Sequence, residues 1–445
     1  MNKLDMSLIN TSRRKELRLP NTFRALRHYN YRLWFVGQTV SLIGTWMQTM
    51  AQQVLVYRIT NSAAALGIVN FVALIPIIPL SFVGGSIVDQ FPKRTLIIIT
   101  NLAMMAQAIL FGFLAASPHV QIWHVYILSF LFGAINAIDL PARQAFTVDM
   151  VEGKDDLANA IGLNSAMFNS ARAIGPALSG IVVAATGESN AFFLNAATFL
   201  AVIICLALMR NLPQSSKRRE AGHTAITHMA QGMKFVVSNR TIAVLISLIA
   251  VSAFLSMPYS TLMPVFADKV LGASAGGLVG QICAPQTGLI HCESPEALTL
   301  GLLLTMVGIG AVISALVVAS LDSSARRGWY LTLCNFVFPA LLLAFSISKS
   351  FIASLVVLFG VGFAFVMQNA LANTLLQIIS PDELRGRVMG FYTMTLQVTM
   401  RLGGLQAGYA ADWFSAPVSV GVGAAVSLVY AAYVALKLPS VRALK

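Results

Sequence analysis

PARQAFTVDMVEGKDDLANAIGLNSAMFNSARAIGPALSG, from Pro141 to Gly180, decides how this chain is built. It closes one long apolar segment, crosses a short charged connection, and opens a second apolar segment that carries Arg172. SPDELRGRVMGFYTMTLQVTMRLGGLQAG, from Ser380 to Gly408, is a weaker echo. Leu157 matches Leu384 at an offset of 227, and Gly175 and Gly180 match Gly403 and Gly408 at 228. Two halves of about 220 residues on one plan are therefore expected.

Composition sets the class. Hydrophobic residues make up 57% and charged residues 11%, against about 25% charge in soluble domains. Apolar residues come in long runs, so a polytopic membrane protein is expected. The net charge of +13 does not point to nucleic acid, because basic residues sit in the short segments between apolar runs. The four cysteines and six histidines show no metal-ligand spacing. There is no phosphate-binding glycine loop with Lys and Ser/Thr, and no constellation that supports an enzyme. No metal and no cofactor are expected. Residues 1–30 are polar and basic, without the pattern of a signal segment.

Twelve apolar runs fall at 32–56, 64–88, 94–115, 121–143, 158–184, 190–210, 241–267, 297–321, 328–348, 351–376, 385–411 and 415–437. Each is long enough for a bilayer core of about 30 Å, and each should be a helix, since backbone polar groups in lipid must be satisfied within the segment. With both termini inside, the inside segments hold 25 of the 30 Lys and Arg, and the outside loops hold only Arg58, Lys269 and Lys349. That asymmetry sets the orientation. The expected organisation is a cytoplasmic segment 1–31, a six-helix bundle 32–210, a cytoplasmic linker 211–240, a second six-helix bundle 241–437 and a cytoplasmic tail 438–445, in a bacterial inner membrane. In the linker, Ile226, Met229, Ala230 and Met233 have helical spacing, which fits a short surface helix or a plain tether.

Further matches support the repeat. Asp89-x-x-x-Lys93-Arg94 pairs with Asp322-x-x-x-Arg326-Arg327, and Leu131-Phe132-Gly133 with Leu358-Phe359-Gly360. Two parallel six-helix halves related about the membrane normal are the plan of one transporter architecture.

The segment GGSIVDQFPKR, Gly84 to Arg94, resembles the loop between the second and third helices of the major facilitator superfamily. More narrowly, YRLWFVGQTVSLIGTWMQTMAQQVLVY and PARQAF…NSARAIGPALSG resemble the bacterial branch of enterobactin-exporter-like proteins, related to drug:proton antiporters. The second Asp/basic loop departs from the pattern, with Val317 and Val318 where glycines stand in the first. The resemblance implies a gating role for Gly85, Asp89, Lys93 and Arg94, with Asp89 facing the start of the eleventh helix near Gly386. The alternative is simple positive charge at a tight inside turn. The exporters' glycine-proline motif survives only as Gly175-Pro176-x3-Gly180.

Arg172 is the sharper signal. A cation at a helix centre is costly in lipid, so it should face a wet cavity or a partner. Ser165, Asn169 and Arg172 share one helical face, and Arg401 shares one with Thr393 and Gln397. Two such cations would attract an anionic substrate; pairing with helix carbonyls or a neighbouring carboxylate is the other reading. Gln38, Ser41, Thr45, Gln48 and Gln52 form a polar stripe in the first run, Asn369, Asn373 and Gln377 another in the tenth, and Ser252, Ser256 and Tyr259 a weaker one in the seventh. They line a cavity or bond between helices. Asp139, with Arg143 four residues on, is the candidate for proton coupling or else a structural latch. Cys283 and Cys292 fall in one outside loop, as a disulfide or as two free thiols.

The expected function is proton-driven secondary export of a bulky anionic or amphipathic small molecule, with a siderophore favoured by the resemblance. A multidrug efflux pump and a non-transporting scaffold or sensor are the alternatives. Expected partners are the small-molecule substrate, protons and membrane lipids, with no nucleic acid; an outer-membrane or periplasmic export partner stays open.

Overall fold

The computed structural model describes residues 21–151, 153–210, 233–283, 292–321, 326–438, 441, 442 and 444, without the side chains of 21, 22, 81–86, 89 and 154. The described residues hold thirteen long helices and no strand: α1 (Tyr29–Thr60), α2 (Ala63–Gln90), α3 (Lys93–Ala116), α4 (Ile122–Asp149), α5 (Lys154–Thr186), α6 (Glu188–Ala207), α7 (Arg240–Val270), α8 (Gly272–Ile282), α9 (Pro295–Ala319), α10 (Arg327–Ile347), α11 (Phe351–Ile379), α12 (Asp382–Trp413) and α13 (Ala416–Lys437). Each expected apolar run falls on one helix. The additional helix is α8, where glycines hid a stripe: Leu271, Ala275 and Val279 lie four apart and are buried. The expected linker helix, Met233 apart, lies outside the described residues.

Among the described residues, nine helices are long and apolar enough to cross a membrane. The three others of sufficient length are α1, α5 and α12, of 32, 33 and 32 residues. Each spans nearly 50 Å at about 1.5 Å per residue, and their low apolarity comes from the polar residues singled out above. Local chemistry sets the ends. Asn61 stops α1 in a left-handed conformation (φ 47°), with its N–H on Tyr57 O, and the Ser62 side chain accepts from Ala65 N to start α2. Helix α2 runs on to Gln90, so Gly85 and Asp89 sit in its last turns and not in a loop, and Phe91 and Pro92 alone separate it from α3. In α7, two prolines interrupt the ladder. Pro258 lacks an N–H, and nearby Met257 N reaches back five residues to Ser252 O, a π-helical turn.

The earlier helices pack α1 on α5 and α6, α3 on α4 and α6, and α2 on α4. The later ones pack α9 and α10 on α11, and α10 and α12 on α13. Earlier meets later chiefly where α5 packs on α9 and α2 on α12. These cross contacts lie at one end of the molecule. That end carries the Cys283–Cys292 disulfide, and after it Glu293 N and Ser294 N donate to Ala184 O at the close of α5 (2.6 and 3.3 Å). The largest apolar cluster lies there and draws on both sets, with Leu55, Leu66 and Val183 beside Leu262, Phe266 and Leu300. At the opposite, basic end the clusters separate. One holds Tyr31, Trp34, Leu96 and Phe146, and another Leu245, Leu331, Leu375 and Val388. A Cβ built on Gly162 of α5, or on Gly386 or Gly390 of α12, meets nothing within 4 Å. The helices are sealed at the disulfide end and parted at the basic end.

At the basic end a 3-10 turn, Asn21–Arg27, straps the start of α5. Arg24 and His28 both bond Asp156, and Ala25 N donates to Asn159 Oδ1. Asp156 precedes the apolar run of α5, and the His28 hydrogen bond, then Arg24, holds its carboxyl below the usual range. A depressed carboxyl contributes fully above its ordinary value of about 3.9 and loses that contribution as pH falls below it. Hydrogen exchange at residues 23–28 is therefore expected to stay slow at neutral pH and to accelerate only in acid below about pH 4; acceleration between pH 7 and 5 would contradict the strap.

Candidate functional site

The repeated glycines show how the site is held. A Cβ on Gly175 would lie 2.4 Å from Trp46 Cβ of α1, and one on Gly403 would lie 2.2 Å from Phe254 O of α7, the carbonyl four residues before Pro258. A Cβ on Gly180 would lie 3.0 Å from Gly301 Cα of α9, and one on Gly408 would lie 2.6 Å from Ala63 O of α2. The first glycine of each copy thus fits its helix to a neighbour in its own set, and the second fits it across the seam. Gly308 meets Ala173 (2.3 Å to its Cα) and Gly67 meets Gly404 O (2.6 Å) in the same seam.

Arg172 and Arg401 stand at its inner edge. Arg172 immediately precedes Ala173, and Arg401 lies three residues before Gly404. The Arg172 guanidinium carbon lies 5.8 Å from the Trp46 ring centre and 5.4 Å from that of Phe365 on α11. Neither arginine has a carboxylate within ion-pair distance among the described residues. The polar contact of Arg401 is Gln397 Oε1 at 3.4 Å. Trp46 touches Phe168, and Phe365 touches Phe338, which in turn meets Tyr259. The Tyr259 hydroxyl is buried without a hydrogen-bond partner in the structure. The result is a half-buried cation with an aromatic wall and no counter-charge among the described residues. Two partly exposed cation–π contacts at about 0.5–1 kcal/mol each contribute less than the roughly 2.5–3.5 kcal/mol that a membrane-centre arginine costs. An oxyanion on its free N–H edge would close that deficit.

The amide stripes divide. Gln48 donates to Gln107 Oε1 (3.1 Å) and accepts from Asn195 (2.6 Å), tying α1 to α3 and α6. Gln52 donates to Ser129 Oγ of α4 at 2.9 Å. Both are engaged between helices. Gln38 is buried, and its Oε1 is unpartnered. Asn169 donates to Ser165 O and Asn369 to Phe365 O, each one turn back; Asn373 accepts from Gln377. The later helices repeat the Gln48 knot: Gln368 of α11 accepts from Ser252 (3.2 Å) and donates to Asn335 (2.7 Å). Of these three, Ser252 alone lay on an expected stripe.

Asp139, 3% exposed, is paired with Arg143 and accepts from Thr100 Oγ1 at 2.6 Å. Arg143 also reaches Asn101 Oδ1 (3.2 Å) and lies over the Trp34 ring (6.0 Å). Of the gating residues, the Asp89 side chain lies outside the described set. Lys93 pairs with Asp149 (2.7 Å) and Arg94 donates to Ala207 O (3.0 Å), both within the earlier helices. A cross-seam carboxylate does stand at the other end. Asp412 of α12 accepts from Ser62 Oγ (2.6 Å), Ala63 N (2.7 Å) and Ala64 N (3.1 Å), capping the N-terminus of α2. Beside it a cleft of about 450 Å³ is lined by Tyr57, Lys269, Ala411 and Asp412. Its sequence signal was a lone acid four residues beyond the second repeat glycine.

The chain matches the family model described as transmembrane secretion effector (MFS_3) over residues 21–284 and 289–445. It is 28% identical to the staphyloferrin A transporter of Staphylococcus aureus over 258 residues, which cover 56% of this chain and 63% of that protein. It is 24% identical to the enterobactin exporter EntS of Salmonella typhi over 380 residues, 82% of each chain. The match to the first of these thus spans less than two thirds of that relative. Among solved structures, a mutant of the peptide transporter POT superposes with TM-score 0.67 at 14% identity, covering 94% of this chain and 95% of that one. The nucleoside transporter NupG gives TM-score 0.65 at 13% identity, covering 94% and 99%. At such identity these two speak for the fold. The family match over nearly the whole length, with nine apolar helices among the described residues, makes this chain a multi-pass membrane protein of the transmembrane secretion effector family, within the major facilitator superfamily.

Proposed function

We propose that the chain is a proton-driven exporter of a bulky anionic small molecule, with a siderophore as the favoured cargo, working by alternating access in a bacterial inner membrane. In this reading twelve helices span the bilayer as two six-helix bundles, α8 caps the outside, and the disulfide end faces outward. Both termini are then cytoplasmic, and the parted basic end opens to the cytoplasm, where cargo enters. The observation that carries the reading is Arg172: a cation without counter-charge among the described residues, walled by rings from both sets of helices, at the inner edge of the closed seam. Relatives named for staphyloferrin A and enterobactin support the choice of cargo. The test is to compare culture supernatants of a deletion strain with its parent. A metal-chelating anion missing from the first and restored by the gene supports the reading; identical supernatants count against it.

Proton coupling is assigned to Asp139, a buried carboxylate within an apolar helix. Asp139→Asn is expected to abolish cargo movement driven by a pH gradient in proteoliposomes while binding stays measurable. Transport at the parental rate would remove Asp139 from the mechanism. A multidrug pump is the second reading, favoured by the aromatic wall of Trp46, Phe168, Phe338 and Phe365. It predicts efflux of many neutral compounds, indifferent to loss of Arg172.

A further inference from the structure

Resting on the anionic cargo proposed above, the geometry points to Phe365 as a positioning residue: it forms with Arg172 a cation–π clasp that holds the seam shut, and the cargo's oxyanion displaces it. Arg172 belongs to α5 and Phe365 to α11, one from each set of helices, and the guanidinium carbon lies 5.4 Å from the ring centre. The clasp sits at the inner edge of the seam. The next residue, Ala173, packs on Gly308 of α9, and α9 packs along α11. Rings cover the guanidinium, Trp46 being the second at 5.8 Å. No hydrogen-bond acceptor engages its N–H groups among the described residues. Those donors are free for an oxyanion.

A charge-assisted, bidentate hydrogen bond is stronger than a cation–π contact and is made through the N–H edge of the guanidinium. An anion that takes the N–H edge therefore draws the cation off Phe365 and removes one tie between the two sets of helices. A ligand shifts a conformational equilibrium only by its differential affinity for the two states. Here the difference is the clasp itself: the shut state must give up the ring contact to bind the anion, and the parted state has none to give up. Binding at the inner cavity is thereby linked to release of the seam at the far end. The ring belongs to Phe365 because Trp46 lies on α1, in the same set as Arg172, and its contact survives when the seam parts.

The reporter is Ala411→Cys, a buried seam residue that lines the cleft beside Asp412. Its labelling by a bulky maleimide in the purified full chain is read against the parent protein without it. Phe365→Met keeps the volume and loses the ring; Phe365→Tyr keeps the ring. The expected result is labelling faster by about threefold in Phe365→Met, the size of an exposed cation–π contact, and unchanged in Phe365→Tyr. Salicylate and citrate serve as aryl and aliphatic anion probes. At least one should accelerate labelling with Phe365 in place, and neither should do so in Phe365→Met. Labelling of Phe365→Met at the rate measured with Phe365 in place overturns the clasp. Acceleration in Phe365→Met with no effect of either anion in the presence of Phe365 leaves the clasp standing and overturns its displacement by an anion. A supernatant lacking an anionic cargo in the deletion strain would in that case still support the exporter. Identical supernatants would sink the exporter without touching the labelling result.

Discussion

Replacing Arg172 with glutamine is expected to reduce export of an anionic cargo by one to two orders of magnitude and to change export of neutral compounds by no more than about threefold, the size of the lost Phe365 contact. Glutamine keeps hydrogen-bonding capacity and removes the charge, so the loss is that of a charge-assisted bond. Such bonds contribute about 1.5–3 kcal/mol, and each 1.4 kcal/mol or so is about tenfold. No compensating rise in stability-related defects should confuse the result. Arg172 ties no buried carboxylate, so its removal orphans no charge among the described residues, and its ring contacts are worth less than its burial costs. Arg172→Gln should therefore express and purify at least as well as the parent. The same change at Arg401, whose amide contact is the 3.4 Å one to Gln397, should have a smaller effect on the same cargo. Initial rates in inverted vesicles for one anionic and one neutral compound check both statements. Equal losses for the two compounds would mean that Arg172 supports the fold and does not read charge.

The site was half legible in the sequence, and the reason is physical. A lone arginine in an apolar run announces itself because lipid penalises it wherever it points. What walls that arginine does not. Trp46 and Phe365 are ordinary apolar residues for a span, and only folding brings α1 and α11 to the same guanidinium. The amides show the reverse case. Gln38, Gln48 and Gln52 share one helical face, and periodicity cannot say whether that face meets water or other helices. Gln48 and Gln52 met Gln107, Asn195 and Ser129. The cross-seam carboxylate was sought at Asp89, where the charge pattern is dense. The one described at the seam is Asp412, isolated in sequence and recognisable only because the N-terminus of α2 comes to it. The glycine echo carried the most: Gly175, Gly180, Gly403 and Gly408 mark where helices approach closely, and an added Cβ would crowd a neighbouring helix at each.

Those contacts set the second large effect. Gly308→Ala is expected to shift the chain away from the sealed disulfide end by about tenfold to a hundredfold and to cripple turnover. The added methyl would stand 2.3 Å from Ala173 Cα and 2.6 Å from its Cβ, and neither atom can rotate away. Relief requires α5 and α9 to separate, and overpacking of this kind costs about 1–3 kcal/mol. The penalty falls only on the state in which those helices meet, so it acts as a conformational bias and not as general unfolding. Gly310, two residues on, makes the contrast. A methyl there would lie 2.0 Å from Phe359 O of α11, a contact within the later helices, so Gly310→Ala should lower the melting temperature in every state. Gly162→Ala, with nothing within 4 Å, should change neither property. Spin-label distances between the ends of α5 and α9, read together with melting curves for the three variants, separate these outcomes. A lowered melting temperature for Gly308→Ala with unchanged end-to-end distances would show that its contact holds the fold as a whole. An increase confined to the disulfide end would show that α5 and α9 meet in only one of two states, as alternating access demands.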